Sequence, residues 1–183
     1  MRFEETFTVG RPPEVVFDYV TDASKLADWQ TVHTTTEQLT EGPPRLGSRF
    51  RERLKPPLSR EVEQVTEFTE FVRPRRLHVH IVEGPFPVDG SWSFEPDGSG
   101  TRVHFVADGQ LRGVMRLLEP VVSRVMARQF AGYHRNLRRN VESRAPVEET
   151  PASLRNAAAA AGERHEGANK PRVESDSAHR DND

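Results

Sequence analysis

The sequence predicts an α+β fold in which an antiparallel sheet of about seven strands is covered by one long C-terminal helix. Residues 31–110 form a run of short segments rich in β-branched and aromatic residues, separated by turn-forming residues. Residues 112–143 instead repeat apolar residues at helical spacing. A sheet with one apolar face must bury that face, and a helix with a matching apolar stripe is the available cover.

The chain begins with a strand that is followed by two short helices. Residues 2–9, RFEETFTV, are rich in Phe, Thr and Val and end at Gly10, which is typical of a strand and its stop. Two prolines then open a helix at residues 11–22, because proline lacks the N–H that would be unpaired in the first turn. A second short helix follows, capped by Asp22 or the nearby serine and ending at Trp29.

Six further strands are predicted between residues 31 and 110. Most of them alternate apolar and polar side chains, which places the apolar members on one face of the sheet. The segment 60–71 is ambiguous, since its apolar residues recur at every third position. Its threonines and the strands predicted on either side favour a strand, in which a β-bulge changes which side chains face inward. The sequence PDGSG at residues 96–100 predicts a tight turn between the last two strands.

Residues 112–143 predict one long amphipathic helix, with Pro120 near its start as a kink or as the boundary of a short first turn. The side opposite the apolar residues carries a row of arginines, here called the arginine stripe: Arg124, Arg128, Arg135 and Arg139. Such a stripe can contact anionic lipid or nucleic acid. Because the surrounding domain is nearly neutral, we interpret the stripe as a solvated face and expect no nucleic-acid partner.

Composition separates a folded part from a polar tail. Residues 1–144 carry 21 basic and 20 acidic residues, whereas residues 145–183 carry 5 and 8 and have almost no large apolar side chain. Such a tail cannot bury enough surface to offset its loss of conformational entropy. We therefore predict one domain at residues 1–144 and a disordered acidic tail at residues 145–183.

The residues also argue against several classes of function. The chain has no cysteine, so neither a disulfide nor a thiolate nucleophile is available. It contains no G-x-S-x-G, P-loop, G-x-G-x-x-G or H-E-x-x-H motif, and we expect neither a cofactor nor a bound metal. No apolar run is long enough to span a bilayer, and the acidic residues after Met1 do not fit a signal peptide. We expect a cytoplasmic protein.

The order of these elements resembles that of a known family. The opening PPEVVFDYVTD at residues 12–22, the following Trp29, GTRV at residues 100–103 and the long final helix are similar to polyketide cyclase/dehydrase-like members of the START, or helix-grip, superfamily. The resemblance covers residues 1–144. It implies that the sheet is curved and grips the last helix, and that the two short helices close one end. It also implies a hydrophobic cavity between sheet and helix.

The resemblance, together with strand alternation, assigns a set of residues to the wall of this cavity. On the sheet they are Phe50, Leu54, Val79, Ile81, Trp92, Phe94, Val103 and Phe105. On the helix they are Leu118, Val122, Val125, Met126, Gln129, Phe130 and Tyr133. Trp29 is expected near the mouth. Packing in an ordinary core is the alternative for each residue alone, whereas the fold favours a cavity for the set.

Two glutamates and three histidines of the predicted strands could take part in catalysis or metal binding. Glu52 and Glu83 share the parity of the apolar residues on their strands, so a buried general acid or base is one possibility. Their positions near strand ends favour an exposed place at the rim instead. His78 and His80 lie on the polar parity, as does His104, and no carboxylate follows at a fixed offset. We interpret these histidines as solvated rather than as metal ligands.

The leading hypothesis is that the domain binds a small hydrophobic ligand, lipid-, polyketide- or isoprenoid-like, inside the cavity. Two alternatives stay open. An enzyme resembling the aromatase/cyclases would need an acid or base deep in the cavity, for which Glu52 and Tyr133 are the test positions. A partner-binding module resembling the quinone- or ribosome-associated branch of the superfamily would depend on the arginine stripe and the tail.

Overall fold

A computed structural model describes residues 1–55, 60–85, 88–109 and 119–144. The strands of this part are β1 (Arg2–Val9), β2 (His33–Gln38), β3 (Arg49–Leu54), β4 (Val62–Val72), β5 (Arg76–Glu83), β6 (Val88–Asp97) and β7 (Gly100–Gly109). The α-helices are α1 (Pro13–Thr21), α2 (Leu26–Trp29) and α3 (Glu119–Glu142). A 3₁₀ turn at Ala23–Lys25 precedes α2.

The seven strands form one antiparallel sheet in the order β1-β7-β6-β5-β4-β3-β2. Strands that follow one another from β2 to β7 are also neighbours in the sheet, whereas β1 pairs with β7. The first two strands therefore form opposite edges, and the chain that connects them contains α1 and α2. This arrangement confirms the predicted α+β helix-grip fold, with its seven strands, two short helices after the first strand and a long C-terminal helix.

The ambiguous segment is a strand, β4, and its irregular apolar spacing follows from bulges. The pairing between β4 and β5 shifts register between Val65 and Thr66, and again between Phe68 and Glu70. Phe68 and Phe71, three residues apart, consequently both pack against the core with their ring centroids 5.8 Å apart, which strict alternation would not allow. A bulge also bends the strand that carries it. The bulges thus explain both the sequence pattern and part of the curvature of the sheet.

Helix α1 covers one end of the sheet. Two prolines occupy its N-terminal end, as predicted. The fully buried ring of Phe17 meets Phe71 and Phe94 edge-on, at centroid distances of 5.1 and 5.4 Å. After the helix, the Asp22 carboxylate accepts a hydrogen bond of 2.9 Å from the backbone N–H of Ser24. This contact caps the 3₁₀ turn, as the sequence predicts.

Helix α3 packs along β1 and against the two short helices. Pro120 lies in its first turn, where a missing N–H removes no helical hydrogen bond. The four residues of the arginine stripe are exposed, in agreement with the predicted polar side of this helix. The predicted start of the helix at residues 112–118 and the predicted tail at 145–183 lie outside the described residues.

The PDGSG turn joins β6 to β7 through Gly98 and Ser99. Asp97 pairs with Gly100 across the turn, and Gly98 has a φ of 62°, in the left-handed region that glycine adopts without strain. The other glycine of the turn, Gly100, is needed because this part of the chain is closely packed. A Cβ atom on Gly100 would lie 2.6 Å from the backbone oxygen of Val9 on β1. The turn therefore brings the start of β7 directly against the edge strand.

Replacing Gly100 with alanine is expected to destabilise the fold by about 1–3 kcal/mol, the usual cost of overpacking a closed site. The added methyl group meets a backbone atom that has no rotamer to move into. Ser99→Ala in the same turn is the control, because Ser99 is exposed. Urea unfolding followed by circular dichroism measures both variants, and equal stability of the two would contradict the close approach.

Candidate functional site

A cavity of about 570 Å³ lies between the sheet and helices α2 and α3. Small-molecule sites usually occupy roughly 300–1,000 Å³. The packing of α3 explains the space: the helix contacts β1 and the short helices, so its backbone does not press onto the middle of the sheet. Strands β2 to β7 and helices α2 and α3 all contribute side chains to the wall.

Most of the residues predicted for the cavity do line it. They are Trp29, Phe50, Leu54, Val79, Ile81, Trp92, Phe105, Val122, Met126, Gln129, Phe130 and Tyr133. The sheet residues among them share the inward parity of their strands. The helix residues lie on the side of α3 that faces the sheet. Alternation and helical spacing therefore locate the wall correctly, while the binding of a ligand there stays a prediction.

Three predicted residues lie elsewhere, and Leu118 is outside the described residues. Phe94 and Val103 are fully buried but belong to the packed core, because α1 covers that end of the sheet and places Phe17 against Phe94. Alternation identifies the inner face, but it does not show which part of that face a helix covers. Val125 is 55% exposed, so the apolar stripe of α3 is narrower near its start than the helical wheel indicates.

Both tryptophans of the chain line the cavity. Trp29 is only 1% exposed, which corrects its expected position at the mouth. The physical reason is that α3 packs over α2, and the Asn136 side chain donates a 3.5 Å hydrogen bond to the Trp29 carbonyl. Trp92 lies beside Gly90 on β6. A Cβ atom on Gly90 would come within 2.9 Å of the Trp92 ring, so the glycine leaves room for that ring.

Glu52 is buried in the wall of the cavity, at 6% exposure, and not at the rim where its place in the strand suggested. Its Oε2 atom lies 3.2 Å from His33 Nε2 and accepts a 2.8 Å hydrogen bond from the Gln64 amide. Its Oε1 atom accepts a 2.9 Å hydrogen bond from the Thr66 hydroxyl. We call these four residues the Glu52 cluster. Glu83, by contrast, is exposed at the end of β5, as predicted.

Strand register brings the Glu52 cluster together. Thr36 on β2 lies opposite Glu52 on β3, and Glu52 lies opposite Gln64 on β4. Sequence reasoning missed His33, Gln64 and Thr66 as members of the site. The sequence did indicate that Glu52 points inward, because it falls on the same side of β3 as the apolar residues of that strand. Its partners could not be read from the sequence, because they depend on the register between strands, including the register shift between His33 and Thr35 of β2.

A second histidine–glutamate pair lies at the junction of α3 and β1. His134 Nδ1 is 2.6 Å from Glu5 Oε2, and the imidazole stacks on Phe7 at a centroid distance of 4.6 Å. His134 also contributes to the cavity wall. Burial lowers the pKa of His134 below its usual value, and the Glu5 carboxylate opposes this effect without cancelling it. The signal in the sequence was two polar residues on apolar faces, one on the first strand and one on the last helix.

Tyr133 supplies a polar group on the helical side of the cavity. Its hydroxyl oxygen accepts a hydrogen bond from the Gln129 side chain one turn earlier. Burial raises the pKa of Tyr133 to about 12, and the hydrogen bonds from Gln129 and the Val32 backbone only reduce this effect. The phenol therefore stays protonated near neutral pH. It can orient a ligand, but it is not available as a general base.

The other charged patches lie on the outer face of the sheet. His78 and His80 are partly exposed and lie near Asp89 on β6, with 2.6 Å between His80 Nδ1 and Asp89 Oδ1. His104 lies near Glu4 on the same outer side. Within the described residues, no three His, Asp or Glu side chains come together as a metal site requires. The arginines of β3 face carboxylates of the adjacent strands.

Residues 1–142 match the profile of a protein family described as polyketide cyclase / dehydrase and lipid transport. The chain belongs to this family. The match extends over almost the whole described part and confirms the resemblance inferred from the order of the elements. No protein among those with a curated description matches the sequence. In the described part of this family member, no helix is both long and apolar enough to cross a membrane.

Solved structures share the fold of this family member. A protein from Thermus thermophilus is 22% identical with a TM-score of 0.67, covering 77% of this chain and 97% of that one. The ZhuI aromatase/cyclase from a Streptomyces species is 16% identical with a TM-score of 0.67, covering 81% and 98%. A START superfamily protein from Mycobacterium smegmatis is 16% identical with a TM-score of 0.64, covering 77% and 97%. At these identities the similarity establishes the fold.

We predict that His134 makes the stability of the domain depend on pH. Because its pKa is lowered in the folded state, the unfolded chain binds a proton that the folded chain does not. The contribution to stability is complete above about pH 6.5, the ordinary pKa of histidine, and is lost as the pH falls towards the folded-state value. One proton limits the slope to about 1.4 kcal/mol per pH unit.

Urea unfolding of the wild type and of His134→Gln at several values between pH 5 and pH 8 measures this effect. The variant is expected to lose less stability on acidification than the wild type. His104→Gln is the matched control, because His104 faces Glu4 on the outer side and is 41% exposed. A wild-type slope that persists unchanged in His134→Gln would contradict the assignment.

Proposed function

We propose that the protein binds a small hydrophobic molecule of lipid-, polyketide- or isoprenoid-like character in the cavity between the sheet and α3. The cavity itself carries this proposal, because its volume of about 570 Å³ is bounded mainly by aromatic and aliphatic side chains. Burying apolar surface there would contribute roughly 25 cal/mol per Å². Membership of a family whose description includes lipid transport supports the same function.

The aromatic side chains support binding because their rings pack against one another around the cavity. Trp92 and Phe105 lie 4.5 Å apart between ring centroids, and Phe105 and Phe130 lie 5.1 Å apart. Phe130 also stacks on Phe3 of β1 at 5.3 Å. Such a connected set holds the wall in place before a ligand arrives. A preformed wall reduces the ordering cost of binding.

Titration with N-phenyl-1-naphthylamine, a neutral apolar fluorophore, tests the proposal. We expect saturable binding with quenching of the protein emission, because both tryptophans of the chain line the cavity. Val79→Phe is expected to weaken binding about tenfold, since overpacking a site of this kind costs roughly 1–3 kcal/mol. Val79 lies in the wall, and the larger ring occupies space that the ligand needs.

Val82→Phe is the matched control, because Val82 is on the same strand but is exposed. Its affinity for the fluorophore should equal that of the wild type. Native mass spectrometry of the protein purified from its host extends the test to natural ligands. Equal affinity of the two valine variants, or no saturable binding by the wild type, would contradict binding in the cavity.

A second candidate function is an enzyme of the aromatase/cyclase type, and the buried carboxylate of Glu52 in the cavity wall is the observation that favours it. Such an enzyme needs a group that accepts a proton from the substrate. Tyr133 does not fill this role near neutral pH, because its pKa is raised to about 12. Glu52 is therefore the proposed base for this candidate.

For this candidate, Glu52→Gln should lower turnover of a poly-β-ketone substrate by about 10²–10⁴-fold, the usual contribution of a general base. Tyr133→Phe is expected to cost much less, since it removes only a positioning hydroxyl. Product analysis by chromatography measures both rates. Unchanged turnover in the Glu52→Gln variant would rule out catalysis through this residue.

A further inference from the structure

The Glu52 cluster is a polar patch in a largely apolar cavity wall. Its four side chains come from three neighbouring strands, β2, β3 and β4. Burying polar groups costs free energy unless they are hydrogen-bonded, and a buried charge costs more than a neutral group. An ordinary sheet core would contain aliphatic side chains at these positions. A buried, hydrogen-bonded polar group at the cavity wall points to a role in the cavity.

Among the residues that the structure describes, the hydrogen bonds of the cluster leave one acceptor position of Glu52 open. A carboxylate offers about four lone-pair positions on its two oxygens. His33 and Gln64 occupy those of Oε2, and Thr66 occupies one on Oε1. Three side chains therefore hydrogen-bond to this one carboxyl group. The remaining position on Oε1 can take one further donor.

His33 holds the carboxylate in place rather than reacting itself. Its Nε2 atom faces Glu52, and its Nδ1 atom is completely enclosed, with no hydrogen-bond partner among the described residues. Because that second nitrogen has no access to the cavity, the imidazole presents no free base to a ligand. His33 is therefore a positioning residue, and Glu52 is the group that a ligand can meet.

We propose that the open acceptor of Glu52 recognises a hydroxyl or N–H group at one end of the bound molecule. The ligand class is then a hydrophobic alcohol, phenol or amine. A pure hydrocarbon leaves the acceptor unpaired, and a carboxylate is repelled by the charge of Glu52. This inference rests on the proposed function, which supplies the hydrophobic part of the ligand, and adds the chemistry of its polar end.

Displacement of N-phenyl-1-naphthylamine by three matched ligands tests the inference. Decan-1-ol and 1-methoxynonane are isomers, and only the alcohol has a hydrogen-bond donor; decanoate adds the negative charge. Apolar transfer alone would favour the ether. We expect the alcohol to bind about tenfold more tightly than the ether, the usual effect of a hydrogen bond to a charged group, and decanoate to bind more weakly than the alcohol.

Glu52→Gln should lower the preference for the alcohol over the ether, because the amide oxygen that replaces the carboxylate is a neutral and therefore weaker acceptor. Glu37→Gln is the matched control, because Glu37 lies on β2 with its side chain 67% exposed and should leave the preference unchanged. The wild-type comparison needs no variant, so it remains decisive if Glu52→Gln does not fold.

The possible outcomes separate the two proposals. Equal affinity for alcohol and ether in the wild type overturns recognition by Glu52 but leaves hydrophobic binding intact. A folded Glu52→Gln variant that keeps the preference also overturns it. Absence of any binding, including that of the fluorophore, overturns the proposed function and this inference together.

Discussion

The packing of α3 against β1 is the interaction on which the rest of the structure depends. Leu137 and Val141 of α3 are fully buried, and the hydrogen bond between His134 and Glu5 joins the helix to the edge strand. Because α3 contacts the edge strand and the short helices, its backbone does not press onto the middle of the sheet. The cavity is the space that this placement leaves.

A cavity lowers the stability of a fold, and other contacts in the surrounding wall must offset this loss. Atoms that face a void lose dispersion contacts on that side, so a cavity weakens the fold around it. Here the lost contacts are offset by neighbours within the wall, through the series of rings from Phe3 to Trp92. The Glu52 cluster stabilises the part of the wall formed by β2, β3 and β4, since each of its hydrogen bonds joins two of these strands. The same contacts that keep the wall from collapsing also keep its shape ready for a ligand.

The sequence predicted the fold and much of the cavity wall because both follow from local periodicity. Alternation placed Trp92 and Phe105 correctly, and the irregular spacing of β4 indicated its bulges. The errors concern relations between distant segments. Phe94 points to the inner face of the sheet, as predicted, but it lies beneath α1 and not in the cavity wall. Glu52 is buried because polar residues of β2 and β4 lie beside it. Such relations depend on register and helix docking, which no single segment encodes.

Gly90 has a consequence for how such a protein changes over evolutionary time. The ring of Trp92 occupies the space that any side chain at position 90 would need. A side chain at position 90 would therefore displace the Trp92 ring, which lines the cavity, and change the space inside. The shape of the interior thus depends in part on a single codon.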